Sequence, residues 1–106
     1  DCLLSRGLGD VYKRQVLMTH IGGYPRHYDP RILQRIQSAR PTLFVAGHSH
    51  ILRIIYDPVY QLLHLNPGGA GNYGIHKVRT ALRFNVEGAE VRDMEIGEWP
   101  RRSGAL

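Results

Sequence analysis

Cysteine is nearly absent. Cys2 is the only one in 106 residues, which excludes a disulfide framework within the chain. No long apolar run is present either. The longest uncharged apolar-rich stretch, around Thr42 to Leu52, is far too short to cross a membrane. The chain does not open with the basic, apolar and small-residue pattern of a signal peptide. There is no internal repeat and no low-complexity tract. At 42% hydrophobic and 22% charged residues the composition is that of a globular chain and excludes a disordered one. The length allows one domain or part of one. Aromatic residues are not interleaved with the cations. Arg79 and Arg83 flank only Phe84, which gives no strong signal for a small basic nucleic-acid binder.

The first fifteen residues read DCLLSRGLGDVYKRQ. The stretch Asp10 to Gln15 resembles the translation of a transposon-type sequencing adapter. Residues 1–15 are therefore expected to be a non-native scar, with the natural sequence entering at Val16. Cys2 then drops out, a thiol content that fits a cytoplasmic protein. Without Arg6, Lys13, Arg14, Asp1 and Asp10 the net charge falls only from +5 to +4.

What is present is an ordered alternation of elements. Val16 to Thr19 is a short apolar run, read as a buried strand that ends at His20. Ile21 to Pro25 is a loop. Asp29-Pro30 is a helix start, since Asp caps free backbone N–H groups and Pro fits the first turn. Ile32, Leu33, Ile36 and Ala39 recur at helical spacing until Pro41. Thr42 to Ala46 is a second buried strand. Ile51 to Ile55 and Tyr60 to Leu65 flank a turn at Tyr56 to Val59. Asn66 to Gly71 is a glycine-rich loop. Lys77 to Val86 alternates at period two, Glu87-Gly88 turns, and Ala89 to Ile96 returns. The returning strand shifts its apolar face between Val91 and Met94, which predicts a bulge. Gly97 to Leu106 reads as a weak tail. An α/β unit feeding an antiparallel run fits a layered sandwich.

The histidines point to chemistry. Gly47-His48-Ser49-His50 follows directly on a buried strand, the end at which open α/β sheets place their sites. On an extended path His48 and His50 would point to one side, about 6–7 Å apart. That separation suits ligation of two metals roughly 3.5–4 Å apart, one imidazole on each. His20 closes another strand. A strand-end His standing alone is more often a hydrogen-bonded surface residue than a ligand, so the weight rests on the Gly-His-Ser-His grouping. His27, His64 and His76 have no such context and read as structural or exposed.

Met18-Thr19-His20-Ile21-Gly22-Gly23, Phe44-Val45-Ala46-Gly47-His48-Ser49-His50 and Leu65-Asn66-Pro67-Gly68-Gly69-Ala70, in that order, resemble the calcineurin-like metallophosphoesterases. They are most similar to the small prokaryotic phosphodiesterase branch. The resemblance runs from about Val16 to about Glu98 and implies a four-layer αββα sandwich with two divalent metals at its rim. It assigns His20 and His48 to one metal and His50 to the other, with the Asn66 loop bordering the site. Manganese is the favoured metal, with nickel, iron or zinc as alternatives. The implied reaction is hydrolysis of a phosphate ester, a diester by branch, by a metal-bridged water.

The family's earlier motifs, Asp-x-His, Gly-Asp and Gly-Asn-His, have no credible match. Gly9-Asp10 falls in the scar, and Gly71-Asn72 is followed by Tyr73. The bridging carboxylate and the proton-donating His are therefore missing, and no catalytic or substrate-binding residue is assigned. The expected organisation is residues 1–15 non-native, 16–99 the carboxyl-terminal half of a metallophosphoesterase domain, and 100–106 a tail. The fragment alone is expected to be inactive. The alternative function is a non-catalytic scaffold of the same fold, since the branch includes a trafficking scaffold with a degraded site.

Overall fold

The computed structural model describes residues 2–6, 15–71, 74, 77–87 and 90–100. His76, the Gly88 turn, Gly9-Asp10, Asn72-Tyr73 and residues 101–106 lie outside the described residues. The elements are β1 (Cys2–Arg6), β2 (Gln15–Thr19), α1 (Pro30–Ala39), β3 (Leu43–Ala46), β4 (Arg53–Asp57), β5 (Leu62–Asn66), β6 (Val78–Glu87) and β7 (Glu90–Pro100).

Five strands form one mixed sheet in the order β1-β2-β3-β5-β4. The central strands β2, β3 and β5 run parallel, and β1 and β4 flank them antiparallel. β6 and β7 form a separate two-stranded sheet. This mixed α/β arrangement matches the expected fold class. Between β2 and β3 the chain crosses through α1, whose start is fixed by Asp29: its carboxylate accepts the Arg31 N–H at 2.9 Å, with Pro30 in the first turn. Arg40 ends the helix in the left-handed conformation, its N–H donating to the Ile36 carbonyl at 2.9 Å. Ile32 and Ile36 pack on Leu17, Phe44, Ala46 and Leu62, with Tyr28 and Tyr60 at the margin. That apolar contact is what fastens the helix, because a ten-residue helix is marginal by itself.

Three local departures from the sequence reading have physical causes. Asp57 closes β4 rather than opening a turn. Its carboxylate accepts the Tyr28 hydroxyl at 2.7 Å and the Val59 N–H at 2.9 Å, so the reversal comes after it, with Gln61 at φ 53°. β7 continues through Trp99 to Pro100 by pairing with Val78 to Ala81, where a tail was expected from Gly97. The His48 and His50 backbones are not extended: φ is 70° and 60°, because the chain reverses sharply after Gly47, where the Ser49 N–H returns to the Gly47 carbonyl at 2.8 Å.

Candidate metal centre

The parallel strands β2 and β3 end side by side, and the residues just past their ends meet. The Gly47 N–H donates to the His20 carbonyl at 3.0 Å, which continues the β2–β3 ladder one step beyond both strands. That bond sets the rings of His20 and His48 together, 5.0 Å between centroids at 60°. His48 Nδ1 and His20 Nε2 are 3.2 Å apart. As a hydrogen bond, this contact needs one ring N–H facing one ring lone pair. The separation also suits a shared cation. Two nitrogens each 2.0–2.1 Å from one tetrahedral ion would stand about 3.3 Å apart. The two imidazoles therefore fit a metal between them.

The loop after His20 is shaped by Gly23, at φ 79°. A Cβ there would run into the His27 carbonyl oxygen. The same loop is closed by the Asp29 N–H donating to the Gly22 carbonyl at 3.0 Å.

A buried amide braces the other side. Asn66, 2% exposed at the end of β5, donates to the Ser49 hydroxyl at 3.1 Å and the Gly47 carbonyl at 3.4 Å. Its own side-chain oxygen accepts the Gly68 N–H at 3.0 Å. Thr80 of β6 then holds the next turn, donating its hydroxyl to the Pro67 carbonyl at 2.7 Å and its N–H to the Gly69 carbonyl at 2.9 Å. A chain of hydrogen bonds thus runs from the β6–β7 hairpin through the Asn66 loop to the histidine turn.

His20 and His48 are brought together as a pair. His50 follows in the same turn, but among the described residues no three His, Cys, Asp or Glu side chains group to hold an ion. His27 is exposed, its ring against Tyr24. His64 is fully buried with its ring on Phe44, centroids 5.3 Å apart. Neither of its ring nitrogens makes a hydrogen bond of good geometry. Burial pushes its imidazole down to about 4, with the Phe44 backbone opposing and the Arg53 charge reinforcing the shift. Sequence reading did not single out Ser49, which is the acceptor for Asn66, or Arg53, whose guanidinium lies 3.9 Å from the Tyr24 ring centroid. The Asn-Pro-Gly run pointed to the loop; nothing in the pattern pointed to Arg53.

The calcineurin-like phosphoesterase superfamily domain matches residues 2–89 of the chain, beginning within the segment expected to be non-native. No curated protein matches. Among solved structures, wild-type Vps29 of Entamoeba histolytica, crystallised with Zn2+, is 13% identical and has a TM-score of 0.63, over 96% of this chain and 61% of its own. A single mutant of the same protein gives 14% and 0.56, over 89% and 60%. The Thermotoga maritima protein TM1076 is 21% identical with a TM-score of 0.50, over 91% and 54%. These likenesses show the fold. The chain spans less than two thirds of the length of each of these structures.

Proposed function

This chain belongs to the calcineurin-like phosphoesterase superfamily, and we propose that it is the carboxyl-terminal half of a dinuclear metal-dependent phosphoesterase acting on phosphate diesters in the cytoplasm. The observation that supports this most is the His20–His48 pair at 3.2 Å beyond the ends of two parallel strands. A fold with no metal to hold has no physical need for two imidazoles facing each other there.

In this reading His20 Nε2 and His48 Nδ1 hold one cation and His50 the second. The cations, Mn by family likeness, would supply neutralisation of phosphoryl charge and an acidified water. This chain's own residues keep the ligands in place. Asn66 and Ser49 fix the turn that presents His48, and the Gly47–His20 backbone bond fixes its spacing from His20. Such outer supports usually matter to metal affinity nearly as much as the ligands do. The bridging carboxylate and the general acid would come from the amino-terminal half. The same reading keeps residues 1–15 as non-native, so that β1 fills the β2 edge where a strand of the parent would pair; genomic sequence upstream of Val16 checks this.

The second reading is a non-catalytic scaffold. The observation favouring it is the apolar side chains exposed around the β4–β5 turn, Ile55, Tyr56 and Val59, which a partner protein would cover.

Hydrolysis of a chromogenic diester across an Mn titration, with bound metal counted by elemental analysis, separates the two. In the completed parent, His48→Ala and His50→Ala should each lower turnover about a hundredfold or more, while His64→Leu should retain it. The present chain alone should be inactive, because half a site brings no bridging anion to offset two adjacent dications. Near-normal turnover and full metal content in His50→Ala would refute the assignment.

A further inference from the structure

We propose that Arg53 is a phosphoryl-binding residue of this site and that Tyr24 is the platform that aims it. The inference rests on the phosphoesterase reading. Arg53 opens β4 and pairs in register with Asn66, the residue that clamps the histidine turn. It lies three residues after His50, and Tyr24 lies four after His20. The two segments leaving the histidines therefore meet again at the Arg53–Tyr24 stack, 3.9 Å from guanidinium carbon to ring centroid. Tyr24 is itself braced by the His27 ring, 4.9 Å between centroids and tilted by 46°.

The geometry selects the ligand. The guanidinium carbon lies over the Tyr24 ring, and the planar fork of N–H donors that an arginine carries matches two oxygens of one phosphoryl group. The ion pairs among the described residues belong to Arg83 and Arg92 on the β6–β7 hairpin; no described carboxylate pairs with Arg53. It is also half-buried, so its charge is less screened than that of a surface arginine. A partly desolvated cation held on an aromatic ring, at the same sheet end as a metal-fitting histidine pair, is a built receptor for an anion. The anion that this site calls for is the phosphoryl group of the ester.

The test is calorimetric titration of inorganic phosphate into the Mn-loaded parent protein, with diester kcat/KM and bound metal measured in parallel. Arg53→Met should weaken phosphate binding at least tenfold and lower kcat/KM with it, at unchanged metal content. Arg53→Lys should lose several-fold, because a point charge replaces the planar fork. Tyr24→Leu should lose affinity while the arginine is still present, which a simple charge effect would not produce. If Arg53→Met fails to fold, the lysine and Tyr24 variants decide. Unchanged phosphate affinity and kcat/KM in the Arg53 variants, with normal wild-type turnover, would overturn the role of Arg53 and leave the phosphoesterase reading intact. Arg53-dependent phosphate binding without turnover in the wild type would do the reverse. A wild type that binds no phosphate would overturn the inference outright.

Discussion

A neutral imidazole enclosed by Phe44 and the strand backbones, with both ring nitrogens lacking a good partner, makes His64 sensitive to acid. Its folded value of about 4 lies below the ordinary 6.5, so the fold favours the neutral ring. The unfolded chain binds more protons between those values, and stability therefore rises with pH across that window. The contribution is complete above pH 6.5 and is lost as pH falls toward 4. His64→Leu should keep or raise the melting temperature at pH 7, since it removes a buried polar group without a partner. It should also flatten the decline between pH 6.5 and 4. Scanning fluorimetry of both proteins across that range checks this; equal acid slopes would assign the loss to other groups. Little of this was legible in the sequence, because an apolar run with one histidine reads the same whether the ring faces solvent or the helix. His20 and His48 were legible as members of one cluster, because both lie at the ends of strand-like runs; their pairing came only from the family resemblance, and β2 itself is less buried than its apolar run suggests, with Met18 44% exposed. The left-handed backbone at His48 and His50 was not legible, since neither residue type announces positive φ as glycine does.

At the scale of elements, the signals that could be read were those with one local cause. Asp29 with Pro30 marked the helix start, and the structure uses both. The first turn of α1 has no acidic residue and the last turn no basic one, so the cap stands alone against the helix dipole. Asp29→Ala should therefore cost about 1 kcal/mol, read as a lowered urea midpoint with an unchanged slope. A change below a few tenths would mean that packing of Ile32 and Ile36 alone fixes the start. The shifted apolar face between Val91 and Met94 marked the bulge. Pairing steps from Arg83–Glu95 to Asn85–Arg92, which leaves one extra residue on β7. Asp93 takes φ 57° there, and its carboxylate accepts the Asn85 amide at 3.1 Å. The β4–β5 turn was misplaced because its cause is long-range. Asp57-Pro58 reads as a turn, but Tyr28, 29 residues earlier, holds the carboxylate in the strand.

For the molecule as a whole, the two faces of the sheet are covered to different extents. Leu17, Phe44 and His64 stand in one row of paired residues and are fully enclosed; α1 packs on this face. Met18, Val45, Leu65 and Ile54 form the next row, on the opposite face; Leu65 within it is buried, and its two ends are exposed, Met18 by 44% and Ile54 by 39%. A layered fold buries both faces of such a sheet, and a second sheet is what the αββα architecture supplies. The β6–β7 hairpin is a second, two-stranded sheet, held by Thr80 to the Pro67–Gly69 turn. If the chain is, as proposed, one half of the fold, it should associate through the exposed apolar ends of that row, Met18 and Ile54. The isolated chain is expected to show mass rising with concentration in light scattering after size exclusion, and a broad melt. Met18→Glu with Ile54→Lys should return the chain toward monomer, because charges at the exposed ends of the row oppose its pairing with a second copy. The same changes in the completed parent should instead be strongly destabilising, since there the charges would be buried without partners. A monomer at every concentration with a sharp calorimetric transition would show that residues 16–100 already bury what they need, and that the exposed ends of the row are ordinary surface.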